Sequence, residues 1–163
     1  MKNVNDIIWL DSVDSTNEEA RRRYQICDNL SVLSALSQTS GRGQMGNVWV
    51  SETGSNLTFS IILKLNDGPM QRIQAYDQFA ICEIAALAVS DYLNSLDIPA
   101  MIKWPNDIYS RDGRKIAGML AELTQVGNGY NIIFGIGINY DLSDCLSEIP
   151  SEISDKVADI RSI

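Results

Sequence analysis

The stretch RDGRKIAGMLAELTQVGNGYNIIFGIGIN, residues 111–139, determines the class of fold that this sequence can adopt. The Asp-Gly pair at 112–113 is typical of a tight β-hairpin turn, and a second glycine-rich turn is predicted at 126–129. The segments that these turns connect, 115–123 and 130–138, have the alternating pattern of long strands. Strands joined by such short turns must be antiparallel, because a parallel pair needs a crossover of a dozen or more residues.

The strand over 130–138 is predicted to have two chemically different faces. One face carries the large side chains Tyr130, Ile132, Phe134, Ile136 and Ile138. The other face contains two glycines, Gly135 and Gly137, among polar and apolar neighbours. Since glycine has no side chain, these two positions leave a groove in which a ligand can approach the backbone.

The remaining strands are predicted from short apolar or alternating runs at 7–10, 31–38, 57–65, 98–104 and 108–110. In the 57–65 run the odd positions are expected to point inward. Adding these strands to the hairpins and two helices predicts an α+β domain with a mixed, largely antiparallel sheet and packed helices.

Two helices are predicted. Ser15 precedes Glu18 by the three residues of a capping box, which favours a helix over 16–24. A longer helix over 74–96 is indicated by apolar residues spaced by three and four: Ala75, Phe79, Cys82, Ala86, Val89 and Leu93. Additional apolar positions, at Ile81, Ile84 and Ala88, are expected to broaden its buried face.

Composition restricts the class of protein. The 163 residues, 45% hydrophobic and 21% charged, fit one soluble domain over 1–163. No apolar run approaches the ~18 residues needed to cross a bilayer, and the N-terminus does not have the pattern of a signal peptide. Three cysteines, an odd number without metal-type spacing, indicate reduced thiols and therefore a cytoplasmic location.

Histidine is absent, and its absence excludes several chemistries. Nucleophile systems of the Ser-His-Asp or Cys-His kind and imidazole-ligated metal sites are impossible. The net charge of −8 argues against a protein whose main partner is nucleic acid, although a few Arg and Lys residues can still form a local anion site.

The segment GRGQMG, residues 41–46, formally satisfies the G-x-G-x-x-G pattern of dinucleotide-binding proteins. That reading fails because residues 47–56 are too few to supply the crossover helix that such a site needs. What remains is a loop with one guanidinium, Arg42, and backbone N–H groups that suit phosphate or carboxylate. From the glycines alone, an anion-binding loop and an ordinary surface loop stay equally open, and Trp49 is expected to anchor the loop in the core.

Five segments now stand in a fixed order: DSTN at 14–17, GRGQMGNVW at 41–49, KWPNDI at 103–108, RKIAG at 114–118 and GIGIN at 135–139. In this order they resemble the catalytic domain of biotin–protein ligases, and the likeness covers nearly the whole chain to about residue 139. The resemblance implies the fold that this family shares with class II aminoacyl-tRNA synthetases.

The activity that the resemblance implies is a two-step acyl transfer. Biotin and ATP, with Mg²⁺, give biotinyl-5′-adenylate. A lysine of a biotin carboxyl carrier domain, from acetyl-CoA carboxylase or a related carboxylase, then takes the biotinyl group. Fixed cations and oriented donors can stabilise the charge that develops, so the chemistry needs no histidine. Neither nucleic acid nor membrane is implied as a partner, and a homodimer is left open.

The resemblance also implies residue roles. Lys115 and Arg42 match the catalytic cations. Biotin contacts are implied for Ser15, Thr16, Asn17, Gln38, Arg42, Gly43, Gln44, Lys115, Gly118, Gly135 and Gly137. ATP contacts are implied for Arg42, Lys103, Asn106, Asp107 and Asn139, with Asp107 as the Mg²⁺ ligand. Without the resemblance, Ser15 and Asn17 would be helix caps and Lys115 a solvated lysine.

Two departures from the family pattern qualify this assignment. Many bacterial relatives carry further arginines at the positions of Gln44 and Asn47, so Arg42 and Lys115 are expected to do more of the anion binding here. The family's C-terminal β-barrel and the helix-turn-helix of its repressor members have no counterpart in the 163 residues. The alternatives left open are a lipoate–protein ligase and a biotin-binding module without catalytic activity.

Overall fold

The computed structural model describes residues 7–51, 53–65, 77–126, 129–145, 149 and 151–163. Seven strands form one sheet in the order β1-β2-β3-β7-β6-β5-β4. Their bounds are β1 Ile7–Val13, β2 Val32–Gln38, β3 Asn56–Lys64, β4 Ala100–Lys103, β5 Asp107–Ser110, β6 Lys115–Val126 and β7 Gly129–Asn139. The helices are α1 Thr16–Arg23, α2 Gln78–Ser95 and the short α3 Ser151–Ser154.

The sheet is mixed and largely antiparallel, as predicted. Only the β1–β2 pair is parallel among the strand pairs of the described residues, and α1 forms the crossover between these two strands. The β5–β6 hairpin turns at Asp112-Gly113, where Gly113 takes a φ of +83° that favours glycine. Of the second predicted turn, residues 127 and 128 lie outside the described part of the chain.

The two faces of the sheet carry separate apolar clusters. On one face α2 packs over a large cluster that includes Ile132 and Phe134 of β7. On the other face α1 covers a smaller cluster built from Ala20, Cys27, Leu33, Ile62 and Ile133. Ile132 and Ile133 fall in different clusters because successive residues of a strand point to opposite faces.

The prediction for the faces of β3 was wrong in part. Thr58, Ser60 and Ile62, at even positions, are buried, whereas Leu57 is exposed. The odd residues Phe59, Ile61 and Leu63 do pack in the large cluster under α2. Both faces are covered because α1 crosses over the face that an alternating pattern would leave to solvent.

The prediction for α2 was right about Cys82, Ala86 and Leu93, which are buried, and wrong about Phe79, which is 61% exposed. Ala75 lies outside the described residues. The buried face is widened by Ile81 and Ala85 rather than by Ile84 and Ala88, which are exposed. Within the described residues, no helix is long and apolar enough to cross a membrane.

Candidate active site

A narrow cavity of ≈ 50 Å³ lies on the α1 face of the sheet, where α1, the 41–49 loop and strands β3, β6 and β7 meet. Every predicted site residue lines it except Lys103 and Asn139. They are Ser15, Thr16, Asn17, Gln38, Arg42, Gly43, Gln44, Asn106, Asp107, Lys115, Gly118, Gly135 and Gly137. The fold thus brings together residues from all five motif segments and Gln38, while their contacts to a ligand stay predictions.

Neutral polar groups at the start of α1 form a connected network at one end of this cavity. The Thr16 N–H donates to Gln38 Oε1 at 2.8 Å, and the Thr16 hydroxyl lies 3.2 Å from the same oxygen. Ser60, buried on β3, places its hydroxyl 2.8 Å from the Thr16 hydroxyl and donates to Asn17 Oδ1 at 2.6 Å. These bonds fix the orientation of three side chains that sequence reasoning assigned to biotin.

Ser15 stands at the N-cap position of α1, but the predicted capping box does not form. Within the described residues its side chain makes no capping hydrogen bond; only its carbonyl accepts, from Glu19 N–H at 2.9 Å. The residue is nonetheless buried and faces the cavity. The Ser15 hydroxyl is therefore better placed for a ligand than for the helix.

Replacing Ser15 with Ala should change the free energy of unfolding by less than about 0.5 kcal/mol, whereas loss of a working N-cap costs about 1 kcal/mol. Thermal denaturation measures the difference. Ser34→Ala is the control: it removes a buried bond to the Thr58 carbonyl, 3.0 Å long, and should cost about 1 kcal/mol. A loss of that size in Ser15→Ala would contradict this placement.

The groove predicted at Gly135 and Gly137 exists, but side chains of the chain itself fill it. Asn17 Oδ1 lies against Gly135, so closely that a Cβ there would also come within 3.1 Å of Asn17 Cγ. The indole of Trp49 lies on Gly137 and Gly118, which face each other across the β6–β7 pair. Trp49 thus anchors the loop on a pair of glycines inside the cavity rather than in the apolar core.

Lys115 opens β6 and projects into the cavity. Its Nζ is 2.7 Å from Asp107 Oδ1 and 5.8 Å from the centroid of the Trp49 ring. The same Nζ would be 3.0 Å from a Cβ on Gly118, so that glycine makes room for the ammonium. A cation held by one carboxylate and an aromatic face is available to an incoming anion.

Arg42 projects from the glycine loop toward two carboxylates. Its Nη2 lies 2.5 Å from Glu18 Oε1 and 3.1 Å from Glu122 Oε2. The loop is shaped by a 3₁₀ turn over Gln44–Gly46 and by the Gly43 N–H donating to the Asn47 carbonyl at 2.7 Å. The loop therefore has a defined conformation with its guanidinium at the cavity.

Lys103 does not line this cavity. It lies exposed at the end of β4, where its Nζ donates to the Tyr109 hydroxyl at 3.1 Å and lies 4.5 Å from the ring centroid. The bond to Tyr109 raises the pKa of Lys103 above its ordinary value, so the residue is a fixed surface cation. Its predicted ATP contact would require a ligand that extends beyond the cavity.

Asn139 is also outside the cavity, buried and committed to internal bonds. Its Nδ2 donates to the carbonyls of Lys115 at 3.2 Å and Ala158 at 3.0 Å, and its Oδ1 accepts from Asn56. The C-terminal segment pairs with the Lys115 backbone as well, since Lys115 N–H donates to the Lys156 carbonyl at 2.7 Å. In this arrangement Asn139 positions the backbone of Lys115 rather than facing a ligand.

A larger cavity of ≈ 860 Å³ adjoins the narrow one, and the two share Arg42, Gly43, Gln44 and Leu120. Its other walls are the loop as far as Val48 and the α2 side, including Phe79 and Cys82. Burial raises the pKa of the Cys82 thiol, so this cysteine is not an activated nucleophile. Ligand pockets typically measure about 300–1,000 Å³, so the narrow cavity alone is too small for a ligand of biotin size, whereas the adjoining cavity lies within that range.

Sequence reasoning missed Glu18, Ser60 and Glu122, which contact predicted site residues. Glu122 carried a signal, because a lone carboxylate in the strand KIAGMLAELT is unusual next to alternating apolar residues. Ser60 had no such signal, because only the packing of α1 on the sheet brings it beside Asn17. Within the described residues, no group of three Asp, Glu, Cys or His side chains could hold a metal ion.

Comparison with known proteins places the chain among the ligases. Residues 9–139 match the biotin/lipoate A/B protein ligase family. The bifunctional ligase/repressor BirA of Escherichia coli K12 is 34% identical over 129 residues, which are 78% of this chain and 38% of that protein. The human biotin–protein ligase is 36% identical over 127 residues, 74% of this chain and 17% of the human protein.

The fold agrees with a solved relative. The structure of biotin protein ligase from Aquifex aeolicus, in complex with biotin and ATP, superposes with a TM-score of 0.74 at 30% identity. It covers 97% of this chain and 60% of the Aquifex chain, so this chain spans less than two thirds of each of these relatives. The predicted fold of the biotin ligases and class II aminoacyl-tRNA synthetases is confirmed, and the chain belongs to the biotin/lipoate A/B protein ligase family.

Proposed function

We propose that this chain carries the catalytic site of a biotin–protein ligase, within a domain over 1–163, and forms biotinyl-5′-adenylate from biotin and ATP. The observation that carries the proposal is the composition of one cavity. Neutral donors and acceptors from Thr16, Asn17 and Gln38 line it together with glycines and with two cations, Arg42 and Lys115. Such a site suits a ligand that has a polar, uncharged ring and a carboxylate.

In the first step a carboxylate oxygen of biotin attacks the α-phosphorus of ATP, and pyrophosphate leaves with the electron pair of the broken P–O bond. Negative charge grows on the α-phosphate oxygens during this step. Lys115 and Arg42 supply positive charge at the cavity, where a partly desolvated site strengthens electrostatic stabilisation. No protein nucleophile takes part.

In the second step the amine of an acceptor lysine attacks the acyl carbon of the adenylate. An amide forms, AMP leaves, and the amine gives up its proton. The acceptor is a biotin carboxyl carrier domain of acetyl-CoA carboxylase or a related carboxylase, a proposal supported by the biotin–protein ligases among the relatives. A cytoplasmic location goes with this partner and stays a prediction.

One carboxylate at the cavity, that of Asp107 with its buried Oδ1, would suit Mg²⁺ when substrate phosphates are bound. Mg²⁺ is commonly held by one or two carboxylates together with substrate phosphates. Asp107 is the carboxylate that lines the narrow cavity, with Asn106 beside it. When bound with ATP, the ion would neutralise charge on the phosphates, and Asp107 would hold it after exchanging its contact with Lys115.

The test is ATP–pyrophosphate exchange with the purified chain, measured with biotin, with lipoate and with neither. Biotin-dependent exchange is the expected result. Ser15, Thr16 and Gln38 suit a ureido ring, and lipoate would leave the Ser15 hydroxyl, which makes no capping bond, without a partner at a cost of about 1–3 kcal/mol, so lipoate should support little exchange. In parallel, biotin should raise the melting temperature more than lipoate does at the same concentration.

The other outcomes distinguish the alternatives. Exchange with lipoate alone would identify a lipoate–protein ligase of the same fold. Biotin binding by calorimetry without exchange would identify a binding module without catalytic activity. Equal thermal stabilisation by biotin and lipoate would contradict the specificity argued from the neutral end of the cavity.

A further inference from the structure

Glu122 lies on β6 between the two cavities and contacts both the floor of the narrow cavity and the loop that covers it. Its Oε2 accepts from Asn17 Nδ2 at 2.7 Å and from Arg42 Nη2 at 3.1 Å. Its Oε1 is 3.5 Å from Arg21 Nη2 on α1. One partly buried carboxylate therefore links α1, the sheet and the glycine loop.

The contact with Asn17 determines which way that amide points. Asn17 Oδ1 accepts from the Ser60 hydroxyl and lies against Gly135, while Asn17 Nδ2 donates to Glu122 at 2.7 Å and, more weakly, to the Leu120 carbonyl at 3.5 Å. A carboxylate can only accept, so it selects the amide nitrogen as its neighbour and excludes the flipped orientation. Since its bond is much shorter than the one to Leu120, Glu122 is the main acceptor that fixes the orientation of the amide facing the ligand space.

The contact with Arg42 occupies a cation that the proposed reaction needs. The Arg42 guanidinium is neutralised by Glu122 and by Glu18, whose side chains are 21% and 28% exposed. An anionic substrate must compete with these two carboxylates for the guanidinium. Until it does, their attraction holds the loop in the conformation that separates the two cavities.

We infer that Glu122 is a positioning residue with two separable effects: it orients Asn17 through an acceptor oxygen, and it holds Arg42 over the cavity through its charge. The inference rests on the proposed function for its ligand, biotin. The two effects separate because glutamine keeps an acceptor oxygen and loses the charge, whereas alanine loses both. Glu18 provides the matched comparison, since it contacts Arg42 and not Asn17.

The experiment compares Glu122→Gln, Glu122→Ala and Glu18→Gln in the full chain. Hydrogen exchange without ligand is followed at Gly43 and Asn47, whose amides donate within the loop to Asn47 and Gln44 carbonyls. In both glutamine variants these two backbone amides should exchange at least about 3-fold faster than in the parent. The reason is that each variant removes one of the two negative charges paired with Arg42. By calorimetry both should bind biotin no more weakly than the parent, and Glu122→Ala about 10-fold more weakly.

Two results would overturn the inference. Glu122→Gln binding biotin about 10-fold more weakly than the parent would show that an acceptor oxygen does not orient Asn17. Unchanged loop exchange in Glu122→Gln would show that the charge does not hold Arg42. If Glu122→Ala does not fold, the two glutamine variants still decide both points. A parent that fails to bind biotin would refute the proposed function alone, because loop exchange is measured without ligand.

Discussion

Replacing Lys115 with Met is expected to slow biotin-dependent pyrophosphate exchange about 10- to 100-fold, since a charge-assisted contact contributes roughly 1.5–3 kcal/mol. Biotin affinity should fall less, because the ammonium meets one carboxylate in the ground state and a more highly charged phosphate in the transition state. Exchange kinetics measure the first effect and calorimetry the second. A Lys115→Met protein that matches the parent in both would remove Lys115 from the site.

Lys115→Arg should not restore the rate fully. The Lys115 ammonium fits between Asp107, Trp49 and the space left by Gly118, and a planar guanidinium is wider than this space. Lys156→Met is the matched control, an exposed lysine whose backbone carbonyl, but not its side chain, contacts Lys115. This substitution should change the free energy of unfolding by less than about 0.5 kcal/mol and leave the rate of pyrophosphate exchange unaltered.

Gly137→Ala is expected to lower the free energy of unfolding by about 1–3 kcal/mol, the usual cost of forcing a methyl group into a packed site. The new Cβ would lie 2.5 Å from Trp49 Cζ2 and 2.9 Å from Nε1, and an indole cannot yield as a flexible chain end would. Trp49 would have to leave the sheet and carry the loop with it. The rate of biotin-dependent pyrophosphate exchange should therefore fall by at least about 10-fold, because displacing a substrate-positioning group by about 1 Å can cost that much or more.

Tryptophan fluorescence and thermal denaturation measure this effect. Trp9 and Trp104 are 63% and 71% exposed, so a red shift in Gly137→Ala would come from Trp49, which is only partly exposed. Gly43→Ala is the control glycine: its Cβ would approach no closer than 3.4 Å, an ordinary contact, and its φ of −115° suits alanine. Unchanged emission and stability in Gly137→Ala would refute the packing of Trp49 on the glycine pair.

Local signals in the sequence were sufficient for the hairpins. The Asp-Gly turn at 112–113 and the alternation in 130–138 act between neighbours, so no knowledge of the rest of the chain was needed. The faces of β3 and the exposure of Phe79 could not be predicted this way. They depend on where α1 and α2 cross the sheet, which is a property of the tertiary structure.

The candidate site shows the same division. The sequence motifs identified nearly all of the cavity residues, because these residues lie in short segments that have a recognisable pattern. Ser60 and Glu122 were missed because their importance arises from partners on other strands and on α1. Asn139 shows what a motif leaves out: its ATP contact stays a prediction, while its amide also ties the C-terminal segment to β6, which only the tertiary structure reveals.

The adjacency of β3 and β7 has a consequence for the order in which the protein folds. Thr58 pairs with Gly137 and Ser60 with Gly135, so the centre of the sheet joins segments roughly eighty residues apart, a contact that forms slowly. The hairpins β4–β5 and β5–β6 are local and can form early. Because the floor of the cavity spans the late β3–β7 pair, ligand binding should appear only with the final cooperative step of refolding. Biotin should accordingly slow unfolding while leaving the refolding rate nearly unchanged.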